Sequence, residues 1–301
     1  MAPLLSPMAR RGLLGRSIPF SLGTARHRRT VMTLPSFSLE GKTCLVTGAA
    51  RGLGKEFLTA FALSGARGAC VDLSLQAGRS SVKHITEHIA SQPSTPSSYT
   101  PELRAYACDV TSEEQVQETW DSVVKDFGKV DVVVTAAGIV ENFEAENYEY
   151  SRWLKMFDIN VNGSFLFAKQ AGKHWIDNSM KGNLILVSSM SSIICVRPQK
   201  QAAYNASKAA VSLLGRSLAT EWGPKGIRVN SLCPGYMKTD LIIDLLAKEG
   251  RHIEEGWVKD VPMGRLGRPH ELQGTIVWMA SDASSYLNGS DIVVDGGYCC
   301  W

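Results

Sequence analysis

The chain has 301 residues, of which 44% are hydrophobic and 20% charged, with a formal net charge of +3. That is enough chain for one large domain with a full core. The small positive excess excludes a basic nucleic-acid-binding body, and no apolar run is long enough to span a bilayer.

Much of that charge sits at the N-terminus. Arg10, Arg11, Arg16, Arg26, Arg28 and Arg29 all precede the first acidic residue, Glu40. Residues 1–38 therefore read as an unfolded leader. Its Arg- and Ser-rich, acid-free composition is that of a mitochondrial transit segment. The competing reading starts the working chain at Met32 and leaves the protein cytoplasmic. Seven cysteines, an odd number without a CxxC pair, suit free thiols in a reducing compartment. Cys44, Cys70 and Cys108 fall in predicted strands and read as buried small residues.

From residue 39 onward, strand-like apolar runs alternate with helical patterns. A strand over 43–47 ends at a glycine loop. A helix over 55–64 follows, with Phe57 and Phe61 one turn apart. Further strands are expected at 68–72, 104–108, 130–135, 183–188, 228–232 and 291–294. Helices are expected at 113–125, 153–173 and 204–221; in the last, Val211, Leu214, Leu218 and Trp222 recur at helical spacing. Such alternation requires crossover connections. It predicts one α/β domain over 39–301, a Rossmann-type doubly wound parallel sheet. Residues 91–101, with Pro93, Pro96 and Pro101, read as an exposed, mobile insertion. Residues 235–262 read as a substrate lid.

Gly48, Gly52 and Gly54 lie between the first strand and its helix, with Arg51 and Leu53 among them. Glycine allows the tight turn and close backbone approach to a phosphate, and the helix N-terminus supplies free N–H groups. The strand–turn–helix context makes this a dinucleotide site. Asp72 closes the second strand, where a carboxylate bonds a ribose 2′-hydroxyl and repels a 2′-phosphate. This favours NAD over NADP, although Arg51 argues the other way. The bland alternative for Asp72 is a turn or cap residue. Asp109, next to Val110, closes the third strand and faces the adenine, or else caps the helix that starts near residue 112.

Tyr204 and Lys208 are four residues apart and share a helix face. A free tyrosine, with a pKa of about 10, is a poor base at neutral pH. A nearby ammonium would lower that value, so that Tyr204 could exchange a proton with a substrate oxygen. Ser188, Ser189, Ser191 and Ser192 follow a strand at the edge where ligands bind in such sheets. One of the four is needed to steady that oxygen.

With these motifs, Asn160-Val161-Asn162-Gly163 and Pro234-Gly235, the chain resembles the short-chain dehydrogenase/reductase family over nearly all of 39–301. The resemblance implies a catalytic set of Asn160, Ser189, Tyr204 and Lys208, with Ser191 an alternative to Ser189. It places Asn160 at a helix kink. It implies cofactor contacts from Gly48, Arg51, Gly52, Leu53, Gly54, Asp72, Asp109, Val110, Met237 and Thr239, as well as Tyr204 and Lys208. It implies a homodimer or homotetramer joined through long helices. One departure is Ala136-Ala137-Gly138, where the family often has Asn-Ala-Gly. Stretches 158–165, 198–211, 218–241 and 294–298 are similar to the family's fungal polyol dehydrogenases and ketose or carbonyl reductases. The expected substrate is thus a secondary alcohol or ketone. A reductase of a specialised metabolite and a non-catalytic dinucleotide sensor are the alternatives. No metal is expected: His84-Ile85-Thr86-Glu87-His88 matches H-x-x-E-H, but reads as a solvated helix face far from the ligand edge. Tyr148, Tyr150, Trp153 and Phe157 read as helix packing.

Overall fold

The computed structural model describes residues 34–93, 99–249 and 251–301. Strands Thr43–Thr47 (β1), Arg67–Asp72 (β2), Leu103–Ala107 (β3), Val132–Thr135 (β4), Gly182–Val187 (β5), Ile227–Pro234 (β6) and Asp291–Val294 (β7) form one sheet. Their order is β3-β2-β1-β4-β5-β6-β7, and every neighbouring pair is parallel. β1, β4 and β5 are buried along their whole length. This is why they read as unbroken apolar runs instead of alternating ones. The strand order reverses direction between β1 and β4, opening a crevice at their C-terminal ends.

Helices cover both faces. Gly52–Leu63 (α1) and Leu75–Ala90 (α2) bury Phe57, Phe61, Ile85 and Ile89 on one side. Glu113–Phe127 (α3) brings Trp120 to the other, where Phe167 and Trp175 from Gly163–Asp177 (α5) and Val211 from Ala202–Trp222 (α6) join it. Local chemistry marks the helix ends. The Ser112 hydroxyl accepts from Gln115 N to cap α3, Glu113 and Glu114 occupy its first turn, and Gly128 ends it at φ 79°.

Two expectations change. The helix predicted over 153–173 is broken into Tyr150–Phe157 (α4), a π-helical turn Asp158–Asn162, and α5. Apolar spacing continues through the break, so periodicity alone misses it. Residues 34–38, assigned to the leader, belong to the folded unit, with a 3-10 turn at Pro35–Phe37 and Leu39 fully buried behind it. Residues 1–33, which carry the targeting reading, lie outside the described residues, as do 94–98 of the expected mobile loop. The segment 235–262 holds two helices, Asp240–Glu249 (α7) and Arg251–Val258 (α8). Gln273–Ala280 (α9) then packs beside α1.

Gly182, at the start of β5, lies under the ring of Trp175. A Cβ there would stand 2.1 Å from ring atom Cδ2. Trp175 cannot retreat, because it is fully buried and its Nε1 donates to Val130 O at 2.7 Å. Gly182→Ala is expected to destabilise the fold by about 1–3 kcal/mol through overpacking, read as a lower urea midpoint with an unchanged slope.

Candidate active site

The glycine loop is built for close approach. A Cβ on Gly54 would collide with Gly48 O, and one on Gly48, at φ +65°, would stand 2.8 Å from the Ala137 Cα. Gly52, at φ +57°, faces open space. Arg51 precedes α1 as an exposed N-cap whose side chain makes no capping bond, so the first N–H groups stay free for an anion. Leu53 packs against the core below. These features fit a dinucleotide pyrophosphate.

Asp72 ends β2 half-buried, and its Oδ2 accepts from Ala50 N at 2.9 Å. It therefore also holds the glycine loop, a role the sequence reading did not give it. Asp109 Oδ1 accepts from Thr111 N at 2.9 Å and from Thr111 Oγ1 at 2.8 Å. The cap of α3 is Ser112, not Asp109. Val110 is buried and packs on Gly163, where a Cβ would meet its Cγ2 at 2.7 Å. Thr47 Oγ1 accepts from both Ala136 N and Ala137 N, each at 3.1 Å. That hydroxyl anchors the segment in which the family's asparagine is missing.

Beyond β6, Met237 is buried against Gly267 and bridges to it. Thr239 and Gly52 line one groove of about 760 Å³. His84, His88 and His270 line the same groove. The two α2 histidines are thus nearer the cofactor loop than expected, because the groove runs along α1. They are nevertheless exposed, and His88 Nε2 pairs with Gln92 at 3.2 Å. No group of three metal-ligating side chains occurs among the described residues.

At the other end of the crevice, α6 carries Tyr204 half-buried and Lys208 buried. Lys208 Nζ donates to Val187 O at the end of β5, at 2.8 Å, and lies 5.7 Å from the Tyr204 ring centroid. Burial penalises the ammonium and pulls Lys208 down to about 8. Burial also pushes the Tyr204 phenol up, while the nearby Ser189 hydroxyl pulls it back. The lowering expected from Lys208 together with a bound nicotinamide does not show in the cofactor-free site. Loss of water around the phenolate outweighs any help from the ammonium, which is directed at a carbonyl. The cofactor-free site therefore holds its tyrosine protonated.

The four serines separate cleanly. Ser189 faces Tyr204, and its Oγ accepts from Ser191 N at 3.1 Å. Ser188 turns inward and donates to Lys208 O at 2.9 Å. Ser192 donates to Ser189 O at 2.7 Å. Ser191 is buried in the turn. The geometry thus brings Ser189, not Ser191, to the phenol.

Asn160, fully buried, works from behind. Its Oδ1 accepts from Ile139 N at 2.9 Å; its Nδ2 donates to Ile139 O and to Ser207 Oγ, each at 3.0 Å. The π turn aims this carboxamide at the sheet edge. A Cβ on Gly138 would stand 3.2 Å from Asn160 Oδ1 and 3.5 Å from Lys208 Nζ. Asn160 is a positioning residue in this arrangement. Nearer the entrance, Tyr148, Tyr150 and Trp153 line a cavity of about 140 Å³ with Phe143, Lys200 and Gln201. Phe157 and Trp153 also meet the packing expectation, stacked at 4.8 Å, and Tyr148 packs edge-on against Phe143.

The chain resembles known proteins along most of its length. A family model described as Enoyl-(Acyl carrier protein) reductase matches residues 48–299. A D-arabinitol 2-dehydrogenase [ribulose-forming] of Scheffersomyces stipitis is 36% identical over 89% of this chain and 97% of its own. Sorbose reductase sou1 of Schizosaccharomyces pombe is 40% identical, over 87% and 98%. A crystal structure of a short-chain type dehydrogenase/reductase from Mycobacterium marinum superposes with a TM-score of 0.78 at 35% identity, covering 88% of this chain and 98% of that one. On this sheet, this glycine loop and this tyrosine–lysine face, the chain belongs to the short-chain dehydrogenase/reductase family and is an NAD(P)-dependent oxidoreductase of CH–OH groups.

Proposed function

We propose that the chain interconverts a polyol and a ketose, with NAD(H) preferred over NADP(H), and that Ser189, Tyr204 and Lys208 carry the proton chemistry. The observation that carries this reading is the phenol of Tyr204, with the Ser189 hydroxyl beside it and the buried Lys208 behind, at the same C-terminal edge of the sheet as the glycine loop. The named activities of the relatives support the substrate class.

When bound, the nicotinamide supplies or accepts the hydride. For ketone reduction, Ser189 Oγ orients the carbonyl oxygen and Tyr204 Oη, held protonated by burial, donates its proton to it. Lys208 keeps a positive charge behind the phenol as it loses that proton. Alcohol oxidation runs the same proton backwards. The carboxylate of Asp72 supports NAD(H), since a 2′-phosphate would meet its charge. Exposed Leu154, Phe165 and Leu213 on α4, α5 and α6 support a dimer or tetramer joined through these helices.

Tyr204→Phe is expected to keep cofactor affinity and to lose turnover by at least about 100-fold, measured on a panel of pentitols, hexitols and ketoses with both nicotinamides. Turnover near the parent rate in that variant refutes the assignment of Tyr204; parent activity confined to non-sugar carbonyls refutes the substrate class.

Asp72→Asn retains an oxygen for Ala50 N and removes only the charge. It is expected to raise the kcat/KM ratio of NADP(H) to NAD(H) by about tenfold, equivalent to about 1.4 kcal/mol. An unchanged ratio refutes the role of the carboxylate.

The lowered Lys208 value sets a pH dependence. Below about 8 the site holds its full proton complement, and above it the tyrosine–lysine pair begins to lose one. Ketone reduction is therefore expected to fall as pH rises through about 8, because the positive charge behind the phenol is lost there. Lys208→Arg should move the alkaline limb of the reductive profile upward.

A further inference from the structure

Tyr204, Lys208 and Ser212 occupy one face of α6 at successive four-residue intervals, and the third of them has no part in the chemistry described above. Ser212 is 5% exposed. A buried serine inside a helix is unfavourable unless its hydroxyl is used, and the usual partner is the carbonyl four residues back. Here that carbonyl belongs to Lys208 and takes the hydroxyl of Ser188. The Ser212 hydroxyl turns instead to Ser188 Oγ at 2.9 Å and Ser192 Oγ at 3.2 Å.

A proton count shows what this does. Each hydroxyl has one hydrogen and two acceptor positions. Ser188 gives its hydrogen to Lys208 O, and Ser192 gives its hydrogen to Ser189 O. Both oxygens are then acceptors only, and Ser212 is the hydroxyl placed to donate to either. The remaining neighbour is Cys233, 3.8 Å from Ser192, whose S–H is a weak donor. One buried hydroxyl, with a single hydrogen shared between Ser188 and Ser192, therefore stands at the junction of two arms. One arm ends on the backbone of Lys208, whose Nζ is tied to Val187 O beside Ser188. The other ends on the backbone of Ser189, whose hydroxyl faces the phenol.

We propose that Ser212 is a positioning residue for this reaction: through Ser188 and Ser192 it sets the spacing between the Lys208 turn and the Ser189 turn. The inference rests on the Ser189–Tyr204–Lys208 reading above. Loss of the Ser212 hydroxyl leaves the cofactor loop untouched, so the effect falls on turnover.

The test compares Ser212→Thr, which keeps a hydroxyl, with Ser212→Val, which has the same shape without one, and with Ser212→Ala. Each is made in the full chain and assayed on the substrate that the panel shows to be turned over fastest. The expected result is a loss of about tenfold in kcat for Val and Ala, with KM and NADH affinity within about threefold of the parent. The alkaline limb of the kcat profile should also move in these two variants, and Thr should retain both rate and limb. Parent-like kcat and limb in Val or Ala, or an equal loss in Thr and Val, overturns the proposal. Should the Ser212 variants fail to fold, Ser192→Ala removes the arm that reaches Ser189. It is expected to lower kcat without weakening NADH binding, and a parent-like kcat overturns the proposal. Where all fold, Ser192→Ala combined with Ser212→Ala should lose little more than the worse single change, and a multiplicative loss is equally fatal. Tyr204→Phe separates the two failures. An active Phe variant sinks the acid/base reading itself, whereas an inactive one beside unaffected Ser212 variants sinks only the role of Ser212.

Discussion

An ammonium withdrawn from water at the end of β5 is the constraint on which the site depends. Lys208 lies on the buried face of α6, and its Nζ has the carbonyl of Val187 as a partner. A buried cation is costly unless it is hydrogen-bonded, and its proton becomes easier to lose. Lys208 accordingly drops to about 8. Burial acts on Tyr204 in the opposite sense and holds the phenol protonated. The two proton affinities, nearly level in water, are thereby driven apart, and the lysine becomes the group that gives up its proton first. The phenol is thus held ready as a proton donor, and the charge behind it is the one that responds to pH nearest neutrality.

The rest of the fold holds this pair at the crevice. β5 supplies the carbonyl for the lysine and then the Ser188–Ser192 turn. The π-helical turn between α4 and α5 sends Asn160 to the opposite side, where it pins Ile139 by both its amide and its carbonyl. Gly138 lies between Asn160 Oδ1 and Lys208 Nζ with no room for a methyl group at ordinary contact distance. Across the switch point, Asp72 holds Ala50 N and Thr47 holds the Ala136 and Ala137 amides. The cofactor loop and the catalytic turn are therefore tied to the same four central strands.

Some of this was legible in the sequence for a physical reason. The central strands are buried on both faces, so their apolar runs are continuous. α1 and α3 carry apolar residues on one side. The glycine loop can be recognised because only glycine takes the φ of Gly48 and the backbone contact of Gly54. Tyr204 and Lys208 share a face because four residues make one helical turn. Other features left no signal in the apolar pattern, although the Asn160–Gly163 motif marks a kink. The π turn at Asp158–Asn162 interrupts an apolar pattern that reads as one helix. The cavity lined by Tyr148, Tyr150 and Trp153 forms only when residues 200–203 close against them.

By itself, the sequence determined the sheet class, the cofactor end, and the residue types able to exchange a proton with a carbonyl oxygen. These follow from periodicity and from spacing within single elements. The tertiary structure decided the rest: which serine meets the phenol, that Ser112 and not Asp109 caps α3, that Asp72 serves the loop as well as facing the crevice, and which way each proton affinity moves. Those outcomes depend on burial and on partners from distant segments. Dehydration and hydrogen-bond pairing are properties of the packed interior, and no short window of sequence contains them.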